Sequence, residues 1–328
     1  MTEALDIVAI GNAIVDVIAP AEDGFLASQG LRKGAMTLID DDRAAHLYSV
    51  MAPGVETSGG SAANTVAGVA SLGGKAAFVG KVADDFLGEV YTHDIEAIGA
   101  TFKTPKLAGA ATGRCLINVT HDAHRTMATF LGAASQLGPA DVDEAEIGRA
   151  YATYLEGYLF DPPPAREAFV KAAAAARAAG RKVAMTLSDV FVVERWRDEL
   201  IGFLDRIDIV FANEVELKAL FETDNFDAAC DLLSDRVETC AITRGEHGSL
   251  VRRGHEFHLL PAFPIAHVID TTGAGDQYAA GFLFGLARDL PLDQCGALGA
   301  LCAWEVIGHY GPRPQVSLEK LAKDHGIL

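Results

Sequence analysis

The stretch Asp270-Thr271-Thr272-Gly273-Ala274-Gly275-Asp276 carries the residue types best suited to chemistry, and an apolar helical pattern follows it directly. Two glycines within three residues let a ligand approach the backbone closely. The first N–H groups of a helix have no intrahelical acceptor, and the helix dipole favours negative charge beside them. A phosphoryl group in transfer spreads its charge over equatorial oxygens and suits that position. Asp276, in the first turn, is placed to accept a proton from an attacking hydroxyl. In the alternative reading Thr272 is an N-cap, the glycines form a turn, and Asp276 only complements the dipole.

A second group lies near the N-terminus. Gly59-Gly60-Ser61-Ala62-Ala63-Asn64 opens a helix with Asn64 one turn in, and Asp16 ends the segment Gly11-Asn12-Ala13-Ile14-Val15-Asp16. A carboxylate and an amide beside free N–H groups make a polyol site, because vicinal hydroxyls donate to one and accept from the others. A purely structural turn accounts equally well for the paired glycines. No G-x-G-x-x-G follows the first strand, which disfavours a dinucleotide enzyme. Gly74-Lys75 and Gly80-Lys81 are followed by Ala76 and Val82, so neither is a P-loop. Cys115, Cys230, Cys240, Cys295 and Cys302 are odd in number and widely spaced, a pattern of small buried hydrophobes rather than of disulfides or zinc. His255 and His258 fall three apart in a strand-like stretch, so they face opposite sides and do not share a metal.

These residues need a scaffold, and the hydrophobic pattern supplies one. Asp6 to Ile10, Ala76 to Val79, Lys182 to Thr186, Ile207 to Phe211 and Glu238 to Thr243 read as buried strands. Ala62 to Leu72, Phe86 to Ile98, Pro164 to Ala179, Phe226 to Leu233, Ala274 to Arg288 and Leu292 to Val306 read as helices, and Ser249 to Leu260 as a hairpin. This alternation predicts an α/β fold, with a mainly parallel central sheet flanked by helices. Thr112 to Thr120 and Arg125 to Thr129 break it: two β-rich runs joined by the polar turn 121–124 predict a hairpin. Such a small β element suits a lid or an oligomer contact.

At the level of whole motifs the chain resembles the ribokinase-like (PfkB) carbohydrate kinases. The resemblance rests on Gly59 to Asn64, on Gly80 to Gly88, on Asn213-Glu214-Val215-Glu216, on Thr243 to Gly248 and on Asp270 to Asp276, in that order. It implies one ribokinase-like kinase domain over 1–328 with a small β-rich lid from about 12–40 and 101–132. It implies ATP as co-substrate and Mg²⁺ as cofactor, with room for K⁺. Asp276 then matches the catalytic base, and Gly273, Ala274 and Gly275 the anion hole. Asp16, Gly60 and Asn64, with Asn12 and Gly59 beside them, match the positions that hold the acceptor. Asn213 belongs to the ATP site, and Glu216 organises Mg²⁺ through its waters. Thr243, Gly245 and Gly248 line the ATP site, Arg125 reaches the phosphates from the lid, and Asp270 and Thr272 match a monovalent-cation site found in some members.

The 43-position separation of Asp16 and Gly59 resembles the adenosine kinase branch, as does Gly11-Asn12 ahead of Asp16. That branch implies phosphorylation of the adenosine 5′-hydroxyl, with Met36, Leu38, Met127 and Tyr158 as walls for the base. Ordinary core or lid packing explains the same four residues. A free-sugar kinase of the same family, and a catalytically silent sugar or nucleoside sensor, are the other readings. With 45 acidic against 27 basic residues the net charge is −18, which argues against nucleic acid or an anionic membrane as partner. Half the residues are hydrophobic, yet no apolar run is long enough to span a bilayer, and the acidic start lacks a signal-peptide pattern. A cytoplasmic monomer or homodimer is expected.

Overall fold

The computed structural model describes residues 4–122 and 124–328, so Met1–Glu3 of the acidic start and Ala123 of the polar turn lie outside it. Its strands are β1 (Leu5–Ile10), β2 (Ile14–Pro20), β3 (Met36–Leu38), β4 (Val55–Gly59), β5 (Ala76–Val79), β6 (Thr101–Phe102) and β7 (Gly113–Val119). They continue with β8 (Arg125–Phe130), β9 (Ala150–Glu156), β10 (Lys182–Thr186), β11 (Ile209–Asn213), β12 (Thr239–Thr243), β13 (Ser249–Arg253) and β14 (Glu256–Leu260). The helices are α1 (Asp23–Ser28), α2 (Asp41–Val50), α3 (Ser61–Ser71), α4 (Phe86–Ala97), α5 (Glu144–Ile147) and α6 (Pro163–Ala178). After these come α7 (Val190–Phe203), α8 (Glu214–Leu220), α9 (Phe226–Ser234), α10 (Ala274–Leu286), α11 (Leu292–Val306) and α12 (Leu318–Asp324).

Nine strands form one sheet in the order β14-β13-β12-β11-β10-β9-β1-β5-β6. It is parallel from β12 to β6, and β13 and β14 turn antiparallel at the far edge. Continuous apolar runs such as Val8-Ala9-Ile10 are buried on both faces, as a parallel sheet between two helix layers requires. One layer sets α3, α10 and α11 around Phe282, Leu283 and Leu298, and the other sets α6 to α9 around Phe169, Val193 and Leu217. Helix α10 is buried from Gln277 to Leu286, which fixes its N-terminus rigidly at the strand ends. All five cysteines are free and buried. Among the described residues no helix is long and apolar enough to cross a membrane.

The other five strands form a second sheet, β3-β8-β7-β2-β4. The hairpin expected at 112–129 is present, with Cys115 opposite Thr129. This sheet also takes Val55–Gly59, outside the two expected lid segments, while Thr101–Phe102 pairs with β5 of the large sheet. Sequence reading passed over β2, β4 and β9, and α7 and α8. Val-Glu-Thr-Ser-Gly is short, polar and at an edge, and α7 is interrupted at Trp196 (φ −125°, ψ 28°), so neither carries a clean period.

Candidate active site

Gly273 caps α10 in a left-handed conformation (φ 77°), and a Cβ there would stand 2.6 Å from Pro312. Only glycine fits that turn without strain. The Ala274 N–H donates to Thr271 O (3.2 Å), whereas the Gly273 and Gly275 amides have no acceptor among the described residues. Two of the three amides expected in the anion hole are therefore open. Asp276 stands beside them in the first turn, and Ser61 Oγ donates to its Oδ1 (2.6 Å) and Asn64 Nδ2 to its Oδ2 (3.0 Å). Burial pushes its carboxyl up to about 6 against those two bonds. It is thus ionised near neutrality, oriented, and short of solvent, which suits a general base.

Helix α3 supplies both donors. Its N-cap Gly60 has φ 100°, and a Cβ there would meet Asn12 O at 2.1 Å. Gln277 Nε2 donates to Asn64 O (2.9 Å) and to Pro312 O (3.0 Å), so α3, α10 and the 308–317 loop are tied together behind Asp276. The Asn64 side chain, expected on the acceptor, spends its amide on Asp276. Its Oδ1 is buried with no partner among the described residues, and so can accept from a hydroxyl.

Asp16, on β2, is buried and accepts no hydrogen bond among the described residues. Burial pushes it up to about 7, although Arg313 and Arg125 act to lower it. Gly59 lies against it: a Cβ would come within 2.4 Å of Asp16 Oδ2. The Asn12 amide points elsewhere, with Asn12 Nδ2 and N donating to Glu156 Oε1 at 2.8 and 3.3 Å. Glu156 Oε2 accepts from Ala62 N (2.9 Å), so this buried acid clamps the Asn12 loop to the start of α3. Burial pushes Glu156 up to about 7 as well.

Arg125, at the start of β8, forms an ion pair with Asp270, and its Nη1 donates to Thr272 Oγ1 (2.8 Å). Asp270 also accepts from Thr272 N (3.0 Å), Thr272 Oγ1 (2.8 Å) and Gly311 N (2.9 Å). The guanidinium expected on the phosphates therefore rests on the two residues expected at a monovalent cation.

At the carboxyl ends of β11 and β12, Asn213, Thr243 and Gly245 line a cleft of about 560 Å³ together with Lys218 and Arg244. Gly248 is not among the lining residues; it has φ 81°, and a Cβ would clash with Leu260 O at 1.9 Å. Asn213 and Glu216 form a reciprocal cap, Asn213 N and Nδ2 donating to Glu216 at 3.0 and 2.6 Å. Burial pushes Glu216 up to about 7, and Asp189 raises it further. Neither acid has a basic partner among the described residues, which leaves local negative charge for a cation to offset.

The base walls divide. Met36 and Met127 are register partners across β3 and β8, and Leu38 lines a second cleft of about 490 Å³ with Ala110, Thr129 and Leu131. Tyr158 is placed with other residues, its ring 5.8 Å from Phe191 and its hydroxyl 3.4 Å from Asp189 Oδ2. Ser61, Glu156, Gln277 and Arg313 were missed as site residues. An apolar run closing on an acid, Ala150 to Glu156, is a signal that could have found Glu156 at a strand end.

With this geometry in hand, similarity to known proteins is informative. The pfkB family carbohydrate kinase profile matches residues 42–319. The crystal structure of adenosine kinase from Sinorhizobium meliloti is 52% identical, covers 98% of this chain and 99% of its own, and has a TM-score of 0.91. A probable sugar kinase protein from Rhizobium etli CFN 42 is 45% identical, covers 100% of both chains, and has a TM-score of 0.93. Adenosine kinase from Saccharomyces cerevisiae is 25% identical over 330 residues, covering 93% of this chain and 96% of its own length.

Proposed function

The chain belongs to the pfkB family of carbohydrate kinases and is an ATP-dependent kinase of a hydroxyl acceptor; we propose that the acceptor is the 5′-hydroxyl of a nucleoside, adenosine foremost, and that Asp276 takes its proton. The observation that carries the catalytic reading is Asp276, fixed by Ser61 and Asn64 beside the open amides of Gly273 and Gly275. The hydroxyl proton passes to Asp276, the acceptor oxygen bonds to the γ-phosphorus, and the bond to the ADP oxygen breaks with its electron pair. The two amides meet the charge on the transferring group, and they cost no reorganisation because α10 is already buried.

Asp16 and the free Asn64 Oδ1 accept from the ribose hydroxyls. The cleft beside Leu38 and Leu131 takes the base, and the register pair Met36 and Met127 lies two residues along the same strands from Leu38 and Thr129. Asn213, Thr243 and Gly245 belong to the ATP side. Glu216 would hold Mg²⁺ through its waters, and the uncompensated acidity at Glu216 and Asp189 fits a hard, hydrated cation. Bound there, Mg²⁺ would neutralise phosphate charge.

Support for a nucleoside comes from the 52% identity to the Sinorhizobium meliloti adenosine kinase. The Rhizobium etli probable sugar kinase supports a free sugar as the second reading. Coupled ADP release with Mg²⁺, ATP and a panel of nucleosides and sugars separates them. Adenosine should give the highest kcat/KM, with AMP identified by mass. Turnover of a free sugar alone would replace the nucleoside reading, and nucleoside binding with no ATP consumption would overturn the kinase assignment of this site.

A further inference from the structure

We propose that Arg125 is the resident cation of the catalytic turn: a guanidinium carried on the small sheet stands where a monovalent ion is expected, and the enzyme works without K⁺. The two oxygens of an ionised carboxylate offer about four lone-pair sites. At Asp270, Thr272 N (3.0 Å) and Thr272 Oγ1 (2.8 Å) donate to Oδ1, and Gly311 N (2.9 Å) donates to Oδ2 beside the ion pair with Arg125. The Thr272 hydroxyl is used in both senses, donating to Asp270 and accepting from Arg125 Nη1 (2.8 Å). Thr271 O and Ile307 O, on the two segments that meet here, accept from Ala274 N (3.2 Å) and Ile269 N (2.9 Å). A monovalent ion needs oxygen lone pairs in place of its hydration shell. The carboxylate has none to spare and already carries a positive partner, so the residues present do not fit K⁺.

The position calls for a cation all the same. The Asp270 side chain is only 6% exposed and belongs to the turn that presents the open Gly273 amide. A carboxylate left bare there would repel phosphoryl charge with little water to screen it. Arg125, itself 12% exposed, offsets that charge at a fixed place and closes a ring of charge-assisted bonds through the Thr272 hydroxyl. It begins β8 and is the register partner of Val119 on β7, so this cation is held by the small sheet instead of being drawn from solution. Removing it would leave a buried acid that must recruit a charge from elsewhere.

The inference goes beyond the choice of acceptor, and its first test needs none. Equilibrium dialysis against Rb⁺, a stand-in for K⁺, compares the wild type with D270N, and R125M with the R125M/D270N double variant. Wild type and D270N should bind the same amount of Rb⁺, whereas R125M should bind about one ion per chain more than R125M/D270N. In the same way K⁺ should raise the melting temperature of R125M by about 2 °C over tetramethylammonium at equal ionic strength, and leave that of the wild type unmoved. An ion in the wild type that D270N loses would overturn the proposal, and so would an R125M that gains neither Rb⁺ nor a response to K⁺. Should R125M fail to fold, R125Q removes the charge and keeps N–H donors, and the same comparison applies. The second test is ADP release by the wild type with Mg²⁺ and ATP, K⁺ being exchanged for tetramethylammonium. Turnover should stay within about 2-fold, and activation by K⁺ of more than about 5-fold would overturn the proposal. If no nucleoside is phosphorylated the acceptor reading fails, while the dialysis still decides the role of Arg125.

Discussion

Adding one methyl group at Gly59 probes the acceptor site without touching any group that reacts. Gly59 has an ordinary negative φ, so alanine meets no backbone strain there. Its Cβ would lie 2.4 to 2.7 Å from the three carboxyl atoms of Asp16, against an ordinary contact of at least 3.4 Å. The Asp16 carboxylate must retreat by about 1 Å, which stretches a hydrogen bond of about 2.8 Å beyond its useful range. A hydrogen bond to a charged group contributes about 1.5–3 kcal/mol, so losing one raises acceptor KM about 10- to 150-fold. Asp276, Ser61 and the amides of Gly273 and Gly275 are not displaced, so kcat at saturating acceptor should hold within a few-fold. Steady-state kinetics with both substrates varied reads this split, and calorimetric titration of acceptor onto G59A gives the affinity directly. If G59A binds and phosphorylates the acceptor with wild-type KM, Asp16 does not contact it and the site is misread.

Asp276→Asn should lower kcat by about 10²–10⁴-fold with the melting temperature little changed, and wild-type kcat should fall as pH drops through about 6; a pH-independent rate between 5 and 8 would refute Asp276 as the base. Asp16, Glu156 and Glu216 are raised to about 7 and Asp276 to about 6 from ordinary values near 4. Their contribution to stability is full below the unfolded pKa values and is lost as pH rises through 6–7, so the urea midpoint of the ligand-free protein should be lower at pH 8 than at pH 5. Asp122 and Glu214, held low by Lys33 and by Lys218 and Arg244, act in the opposite sense only below about pH 5 and do not mask the trend. Arg125→Ala leaves Asp270 without its cation and should cost on the order of 3 kcal/mol and speed amide exchange in Gly113–Val119 and Arg125–Phe130; unchanged exchange there would show that the ion pair does not hold the small sheet.

What was legible in the sequence was what is local. Ala76–Val79, Lys182–Thr186 and Leu292–Val306 declare their period and their ends within a few residues, and the structure has them at those bounds. The Gly273-to-Asp276 turn was equally readable, since glycine before a helix states its own geometry. Ser61 and Asp276, by contrast, are 215 positions apart and meet only because α3 and α10 pack side by side. Glu156 reaches Asn12 across 144 positions, through the pairing of β9 with β1. Arg313 sits in a proline-flanked turn with no periodic signal at all. Of the strands that went unread, β4 is short and polar and buries only Ser58 and Gly59, β9 mixes alanine, tyrosine and threonine, and β2, apolar apart from Asp16, was passed over although its own run is legible.

The knot of α3, α10 and the 308–317 loop divides labour within the molecule. The groups that move the proton and meet the phosphoryl charge are anchored on helices buried on nearly every side, whereas Met36 and Leu38 lie on a short edge strand and are 38% and 52% exposed. On the function proposed above, reaction chemistry sits on buried helices and acceptor choice on an exposed edge strand. Substitutions along β3 can reshape what enters while leaving the machinery behind it unstrained, so the scaffold is free to acquire new acceptors without relearning how to phosphorylate them.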